Sequence, residues 1–79
     1  MPWVNCDVTT AGPAENGTIY IGLRAKDNSF NNWFQAVPAM KKEMLATALA
    51  AIGGSKPVTV YVTGTAPYSE IQRLYINAA

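Results

Sequence analysis

Apolar and polar residues alternate in three short runs along the first half of the chain, at 4–11, 18–24 and 30–36. A period of two is typical of a half-buried β-strand, so each run predicts one strand. The Asn16-Gly17 pair between the first two runs is a tight-hairpin signal, and the polar residues 26–29 predict the next turn. Trp33 is predicted on the outer side of its strand. The side chains predicted to face the core are Val4, Cys6, Val8, Ile19, Ile21, Leu23, Phe30 and Phe34.

The pattern changes to helical spacing after residue 37. Pro38 suits the first turn of a helix, where its missing N–H is not needed. Gly53 and Gly54 predict the helix end, with a left-handed cap supplied by glycine, and Pro57 prevents continuation. Apolar residues spaced by three and four predict a single buried stripe. That stripe comprises Met40, Met44, Leu45, Ala48, Leu49 and Ile52.

The opposite side of this helix has few charges after its first turns. Beyond Lys42 and Glu43 it has only Ala46, Thr47 and Ala50. Small residues permit close approach by another helix, although alanine is also the best helix former. The small, uncharged residues on this side are therefore explained either by an intersubunit contact or by helix propensity alone.

Two more strands complete the chain. Residues 58–63 alternate valine with polar residues, which is the clearest strand signal in the sequence. In the run 68–76 the apolar residues change parity, and a β-bulge near Gln72-Arg73 would reconcile them. The order β-β-β-α-β-β predicts an OB-fold, a five-stranded antiparallel barrel with one helix between its third and fourth strands.

Length and composition limit the possibilities further. The 79 residues predict a single OB-fold domain over 1–79. The chain is 49% hydrophobic and only 14% charged, against roughly 25% charged residues in ordinary domains. Such a weakly polar surface favours a homo-oligomer. The net charge of +1 disfavours nucleic acid as a partner, and no apolar run is long enough for membrane insertion.

Catalysis and cofactors are not expected. The chain has no histidine and one cysteine, Cys6, so neither a zinc site nor an internal disulfide is expected. Cys6 alternates with valines and is predicted to be a buried small hydrophobe. The sequence has neither a pair of carboxylates at catalytic spacing nor a glycine-rich phosphate loop, so it does not predict an enzyme. Residues 1–4 lack a signal-peptide pattern, so the protein is expected to be cytoplasmic unless a signal was removed, in which case it is secreted or periplasmic.

Several strings resemble the B subunits of bacterial AB-type toxins, most closely the Shiga toxin B subunit. The resemblance spans about residues 6–76. Asn31-Asn32-Trp33 resembles an Asn-Arg-Trp before the family's helix, and Cys6 stands where the family has a first-strand cysteine. Val58-Thr59-Val60 and Tyr68-Ser69-Glu70-Ile71 resemble strings of the family's last two strands. The family's second cysteine is missing, because Gly64 and Thr65 occupy that region. This departure suggests a distant relative of the toxins.

The resemblance implies a ring, usually a homopentamer, that binds cell-surface glycans. It implies that Trp33 stacks on sugar and that Asn32 replaces a sugar-contacting arginine. Glu15 and Asn16 correspond loosely to the family's acidic first loop. For Trp33, packing in the core or at an interface is the alternative.

Three hypotheses therefore remain open at the level of the sequence. The first is a non-enzymatic ring-forming module with a glycan or protein ligand. The second is an OB domain for single-stranded nucleic acid, with Tyr20, Trp33 and Tyr61 as stacking candidates. We favour an interface role for Tyr20 and Tyr61. The third is a structural assembly protein with no small ligand.

Overall fold

Five strands and one helix, in the predicted order β-β-β-α-β-β, make up the fold in the computed structural model, which describes residues 3–64 and 66–77. The predicted turn at 64–67 therefore includes one residue, Thr65, outside the described part. A short 3₁₀ turn over Pro38–Met40 precedes the helix. The elements are β1 (Trp3–Pro13), β2 (Ile19–Ala25), β3 (Asn31–Ala36), α1 (Lys41–Gly54), β4 (Val58–Val62) and β5 (Glu70–Ile76).

The strands close into a barrel in the order β1-β2-β3-β5-β4, which confirms the OB-fold-like topology. One detail of the prediction is wrong, because the barrel is mixed and not wholly antiparallel. β3 and β5 pair in parallel through Gln35–Glu70 and Ala36–Ile71. Since an odd number of strands cannot alternate in direction all the way around a closed barrel, one parallel pair is unavoidable.

The barrel interior is filled by the inward positions of all five strands. Val58, Val60 and Val62 are completely buried, as the alternation predicted. Cys6 lies among them, also fully buried, as a small hydrophobe. The predicted bulge is confirmed: Tyr61 pairs with Arg73 and Val62 with Ile71, so the intervening residue of β5 has no partner on β4.

Helix α1 closes the barrel with a stripe that matches the predicted one only in part. Met44 and Ala48 are buried as predicted, and Leu45 is partly buried against the core. Leu49 and Ile52 instead remain 52% and 39% exposed, and Ala51 is buried in their place. The apolar spacing favoured the larger side chains, whereas the close-packed end of the barrel accepts the small alanine. No described helix is long and apolar enough to span a membrane.

The end of α1 also differs from the prediction. Gly53 and Gly54 both lie within the helix, and Ser55 adopts the left-handed conformation, with φ of 53°. The amide of Lys56 donates to the carbonyl oxygen of Ala51 at 2.9 Å, which closes the last turn. The left-handed cap is therefore one residue later than predicted, at Ser55, and two residues before Pro57.

Candidate functional site

The outer side of β2 and β3 forms the surface on which the candidate site is built. Tyr20 pairs with Gln35 and Gly22 pairs with Trp33 across the two strands. These four residues share the outward parity, because Ile19, Ile21 and Phe34, which alternate with them, are in the core. Trp33 is 44% exposed, which confirms its predicted place on the outer side of β3.

Three aromatic side chains line an open cavity of about 440 Å³ on this surface. Tyr20 comes from β2, Trp33 from β3 and Tyr68 from the loop between β4 and β5. The rings of Tyr20 and Tyr68 meet edge to face, with centroids 5.7 Å apart. The cavity therefore offers flat apolar walls, together with phenolic and indole groups that form hydrogen bonds.

Tyr68 is held in place through its backbone. Its amide donates to the carbonyl oxygen of Trp33 at 2.6 Å, and its carbonyl oxygen accepts from Nε2 of Gln35 at 3.0 Å. Its φ of 65° is in the left-handed region, which is costly for a residue with a bulky side chain. Such strain persists where surrounding contacts enforce it, and it is concentrated at ligand sites.

A second cavity, of about 220 Å³, lies on the other side of Trp33. Its polar groups include the hydroxyls of Thr9 and Thr10 and the amide of Asn31. Two of the predicted site residues, Trp33 and Asn32, border this cavity, but Asn32 has the inward parity of Phe34, so its side chain is on the opposite side of β3 from the indole. The full lining is Thr9, Thr10, Gly22, Asn31, Asn32 and Trp33.

The other two predicted site residues lie elsewhere. Asn16 is in the turn between β1 and β2, where its Oδ1 accepts a hydrogen bond of 3.0 Å from the amide of Thr18. It lines a smaller groove of about 140 Å³ together with Lys41, whose Nζ donates to the carbonyl oxygen of Gly17. Glu15 is exposed in the same turn and does not line either cavity beside Trp33.

A separate aromatic cluster covers β1, β4 and β5. Trp3 stacks on Tyr75 with centroids 6.0 Å apart and meets Tyr61 edge to face at 5.1 Å. The guanidinium of Arg73 lies about 6 Å from the Trp3 and Tyr61 rings. Tyr61 is thus on a different surface from Tyr20, so the two tyrosines singled out in the sequence do not form one site.

Charged groups near the β2–β3 surface form ion pairs within the chain. Asp7 pairs with Lys26 at 2.7 Å and with Arg24 at 3.1 Å, and these contacts lower the pKa of the Asp7 carboxyl. Burial, aided by the carboxylates of Asp7 and Asp27, raises the pKa of the Cys6 thiol to about 11. All the described residues that line the two cavities beside Trp33 are uncharged.

Sequence reasoning missed five of the residues that line these cavities, namely Thr9, Thr10, Gly22, Asn31 and Tyr68. Tyr68 was predicted within the last strand, whereas β5 begins at Glu70 and Tyr68 belongs to the preceding loop. Thr9 and Thr10 are within the first predicted strand, and nothing in its alternation marks them as site residues. The one available signal was Gly22, since glycine inside a strand often marks a bulge or a place of close approach.

Comparison with protein-family models, curated proteins and solved structures found no match to this chain. The likeness to toxin B subunits therefore rests on the residue strings and the fold alone.

Proposed function

We propose that this protein is a non-enzymatic carbohydrate-binding module whose binding site is centred on Trp33. The observation that carries the proposal is the cavity formed by Tyr20, Trp33 and Tyr68. OB-folds bind oligosaccharides and oligonucleotides on the face of their second and third strands, next to the loop between the fourth and fifth. The three aromatic residues come from those elements.

The chemistry of the lining favours sugar as the ligand. Sugar rings present apolar C–H faces and polar hydroxyl edges, and the cavity presents aromatic faces beside phenol and indole groups. Single-stranded nucleic acid would use the same stacking platforms, but its affinity depends strongly on cations that contact phosphates. No Lys or Arg lines either cavity at Trp33, so an uncharged ligand is the better fit.

The proposal that the protein is not an enzyme follows from the same lining. Neither cavity beside Trp33 contains a carboxylate, a thiol or an amine to act as an acid, base or nucleophile. The thiol of Cys6 is inside the barrel, where burial disfavours its reactive thiolate form.

A glycan array, followed by titration of its strongest neutral hit, tests this function. Trp33→Ala is expected to weaken binding at least 10-fold, since stacking on the indole is lost. Trp3→Ala is the matched control, because Trp3 is similarly exposed but lies in the other aromatic cluster. An array without hits, or equal losses in both variants, would refute the assignment of the site.

We further propose that the module works as a ring of identical copies, a pentamer as in the toxin B subunits that the chain resembles. The support is the outer side of α1, where Leu49 and Ile52 are exposed beside Ala46 and Ala50. Contiguous apolar surface of this kind marks interaction sites. In addition, β5 pairs with β3 only at Glu70 and Ile71, so the rest of that edge is open to a neighbouring strand.

Light scattering tests the ring. The expected mass is close to five times the 8.5 kDa of one chain. Leu49→Glu is expected to reduce the mass to that of a monomer while preserving the circular dichroism spectrum, since Leu49 is outside the core. Ala66→Glu adds the same charge at an exposed loop position and serves as the control. A monomeric mass for the unmodified protein at micromolar concentration would contradict the ring.

Two alternatives remain as outcomes of these tests. Retardation of single-stranded DNA at low salt that is lost in Trp33→Ala would instead favour a nucleic-acid function for the same aromatic surface. A ring without any glycan or nucleic-acid ligand would favour a protein ligand or a purely structural assembly role.

A further inference from the structure

We infer that the polar cavity beside Trp33 is a second sugar subsite, so that the ligand is an uncharged glycan of at least two sugar units lying across the indole. This inference rests on the proposed carbohydrate-binding function. It specifies that the ligand has at least two sugar units and no charge, and it assigns a role to Thr9, Thr10 and Gly22.

The first observation is a β-bulge in β1. Val8 pairs with Leu23 and Thr10 with Gly22, so Thr9 is an extra residue without a partner on β2. In a regular strand two successive side chains would point to opposite faces. Here both hydroxyl oxygens converge over Gly22: a Cβ atom built on that glycine would collide with Oγ1 of Thr10 and lie 2.7 Å from Oγ1 of Thr9. Bulges of this kind re-aim side chains next to binding sites.

The second observation is that the bulge requires a glycine at position 22. Gly22 pairs directly with Trp33, and a Cβ atom there would take the place that the hydroxyls of Thr9 and Thr10 occupy. Glycine is unfavourable in a strand interior unless a bulge or a close approach requires it. The missing side chain therefore admits the two hydroxyls to the surface beside Trp33.

The third observation concerns hydrogen-bonding capacity. Neither Thr9 nor Thr10 uses its hydroxyl in a side-chain hydrogen bond with another described residue. Threonine hydroxyls and asparagine amides both donate and accept, as sugar hydroxyls do. Asn31, which has the same outward parity as Trp33, adds its amide to the lining, so three adaptable polar groups face one cavity.

The residues in and around the polar cavity indicate that the ligand is uncharged. The next outward residue along β2 is Arg24, and its guanidinium is held by the carboxylate of Asp7. No described residue that lines the cavity is charged. A carboxylate or sulfate on the second sugar would therefore lose its hydration without an ionic partner among the residues that line the cavity.

The two cavities share Trp33 as their common wall. One sugar would stack in the aromatic cavity with Tyr20 and Tyr68, and the next would form hydrogen bonds in the polar one. Because a disaccharide would contact both cavities, we expect it to bind at least 10-fold more tightly than either of its monosaccharides.

The test is a calorimetric and NMR titration with methyl glycosides of glucose, galactose, mannose and N-acetylglucosamine, and with lactose, cellobiose, mannobiose and chitobiose. Thr9→Val and Thr10→Val preserve shape while removing one hydroxyl each. Each is expected to weaken binding of the best disaccharide about 3- to 10-fold, the range for one hydrogen bond. Binding of its monosaccharide in the aromatic cavity is expected to be unchanged.

Two further variants complete the design. Thr47→Val is the matched control on helix α1, where the hydroxyl donates to the carbonyl oxygen of Glu43, and it is expected to leave binding unchanged. Gly22→Ala displaces the hydroxyls of Thr9 and Thr10 and is expected to remove the advantage of the disaccharide. Gly22→Ala also strains β1. If it does not fold, the results for Thr9→Val and Thr10→Val decide the test.

The outcomes separate this inference from the proposed function. If sugars bind at Trp33 but the valine variants leave disaccharide affinity unchanged, the second subsite is wrong and the carbohydrate function stands. If no sugar of the panel perturbs Trp33, both are wrong. If an acidic disaccharide such as a glucuronyl-linked one binds more tightly than its neutral analogue, the neutral class is wrong.

Discussion

The backbone amide of Tyr68 donates a hydrogen bond of 2.6 Å to the carbonyl oxygen of Trp33. This contact joins the β4–β5 loop to the outer edge of β3 and fixes the distance between two walls of the aromatic cavity. It also holds Tyr68 in the left-handed region of backbone conformation. The geometry of the site thus depends on a loop residue that is strained in the native state.

That strain gives a prediction about two substitutions of the same residue. Tyr68→Ala keeps the unfavourable φ, whereas Tyr68→Gly relieves it. We expect the glycine variant to be more stable than the alanine variant by about 0.5–1 kcal/mol in urea unfolding, and both to bind sugar more weakly than the unmodified protein. An alanine variant as stable as the glycine variant would show that Tyr68 is not strained in solution.

The C-terminal end of α1, outside the candidate site, gives a similar prediction about a residue in the left-handed conformation. Ser55 has φ of 53° and caps α1, so Ser55→Gly is expected to raise the free energy of unfolding by about 0.5–1 kcal/mol. Gly54→Ser is the comparison, because Gly54 is helical and does not need the left-handed conformation, while a Cβ there meets Cγ of Lys56 at 3.2 Å. Equal stabilities for the unmodified protein and Ser55→Gly would contradict this cap.

Acid sensitivity is predicted from Asp7. Hydrogen bonds from Lys26 and then Arg24 lower its pKa in the folded protein. The stabilisation is therefore present above the unfolded pKa of about 3.9 and is lost as the pH falls through the folded value. Asp7→Asn is expected to destabilise the protein at pH 7 by at most about 1 kcal/mol, as for solvent-screened pairs, and the difference is expected to shrink as the pH falls through the folded pKa.

Urea unfolding from pH 2 to 7 checks this, with Glu43→Gln as the control that removes a carboxylate forming no ion pair in the described part of the chain. Some acid sensitivity is expected to remain in Asp7→Asn. Hydrogen bonds within the turn, from Ser29, also lower the pKa of Asp27. A difference between Asp7→Asn and the unmodified protein that persists at pH 2 would contradict the assignment.

Cys6 provides a readout of barrel opening. Its pKa of about 11 and complete burial predict very slow alkylation of the native protein by iodoacetamide at pH 7.5. The raised pKa alone lowers the thiolate fraction about 100-fold relative to the ordinary value of 9.0. Mass spectrometry should find modification only in urea. Rapid labelling without denaturant would show that the barrel opens near β1.

The sequence predicted the strands well because burial on one face produces a strict alternation of residue types. Val58, Val60 and Val62 are buried as expected, and the parity change in β5 located its bulge. The helix was predicted less well, since periodicity identifies apolar residues but not the shape of the surface that receives them. Met44 and Ala48 are buried as expected, but the barrel accepts Ala51 and leaves Leu49 and Ile52 outside.

The site was predicted only in part, for a related reason. Trp33 stood out as an aromatic residue on the outer face of a strand, and Asn32 adjoins it in the chain. Tyr68 and Thr10 come from distant segments, and only the barrel closure and the bulge bring them to Trp33. No local pattern encodes such convergence.

The central claim is that sugar binds at Trp33, and the indole N–H signals of the protein test it most directly. The chain has two tryptophans, so its ¹H–¹⁵N spectrum contains one indole signal from Trp33 and one from Trp3, which serves as an internal control. On titration with a neutral disaccharide selected from the array, we expect the Trp33 signal to shift in a saturable manner while the Trp3 signal stays in place. If both signals remain unchanged at saturating concentrations of every array hit, or only that of Trp3 moves, the proposed site is wrong.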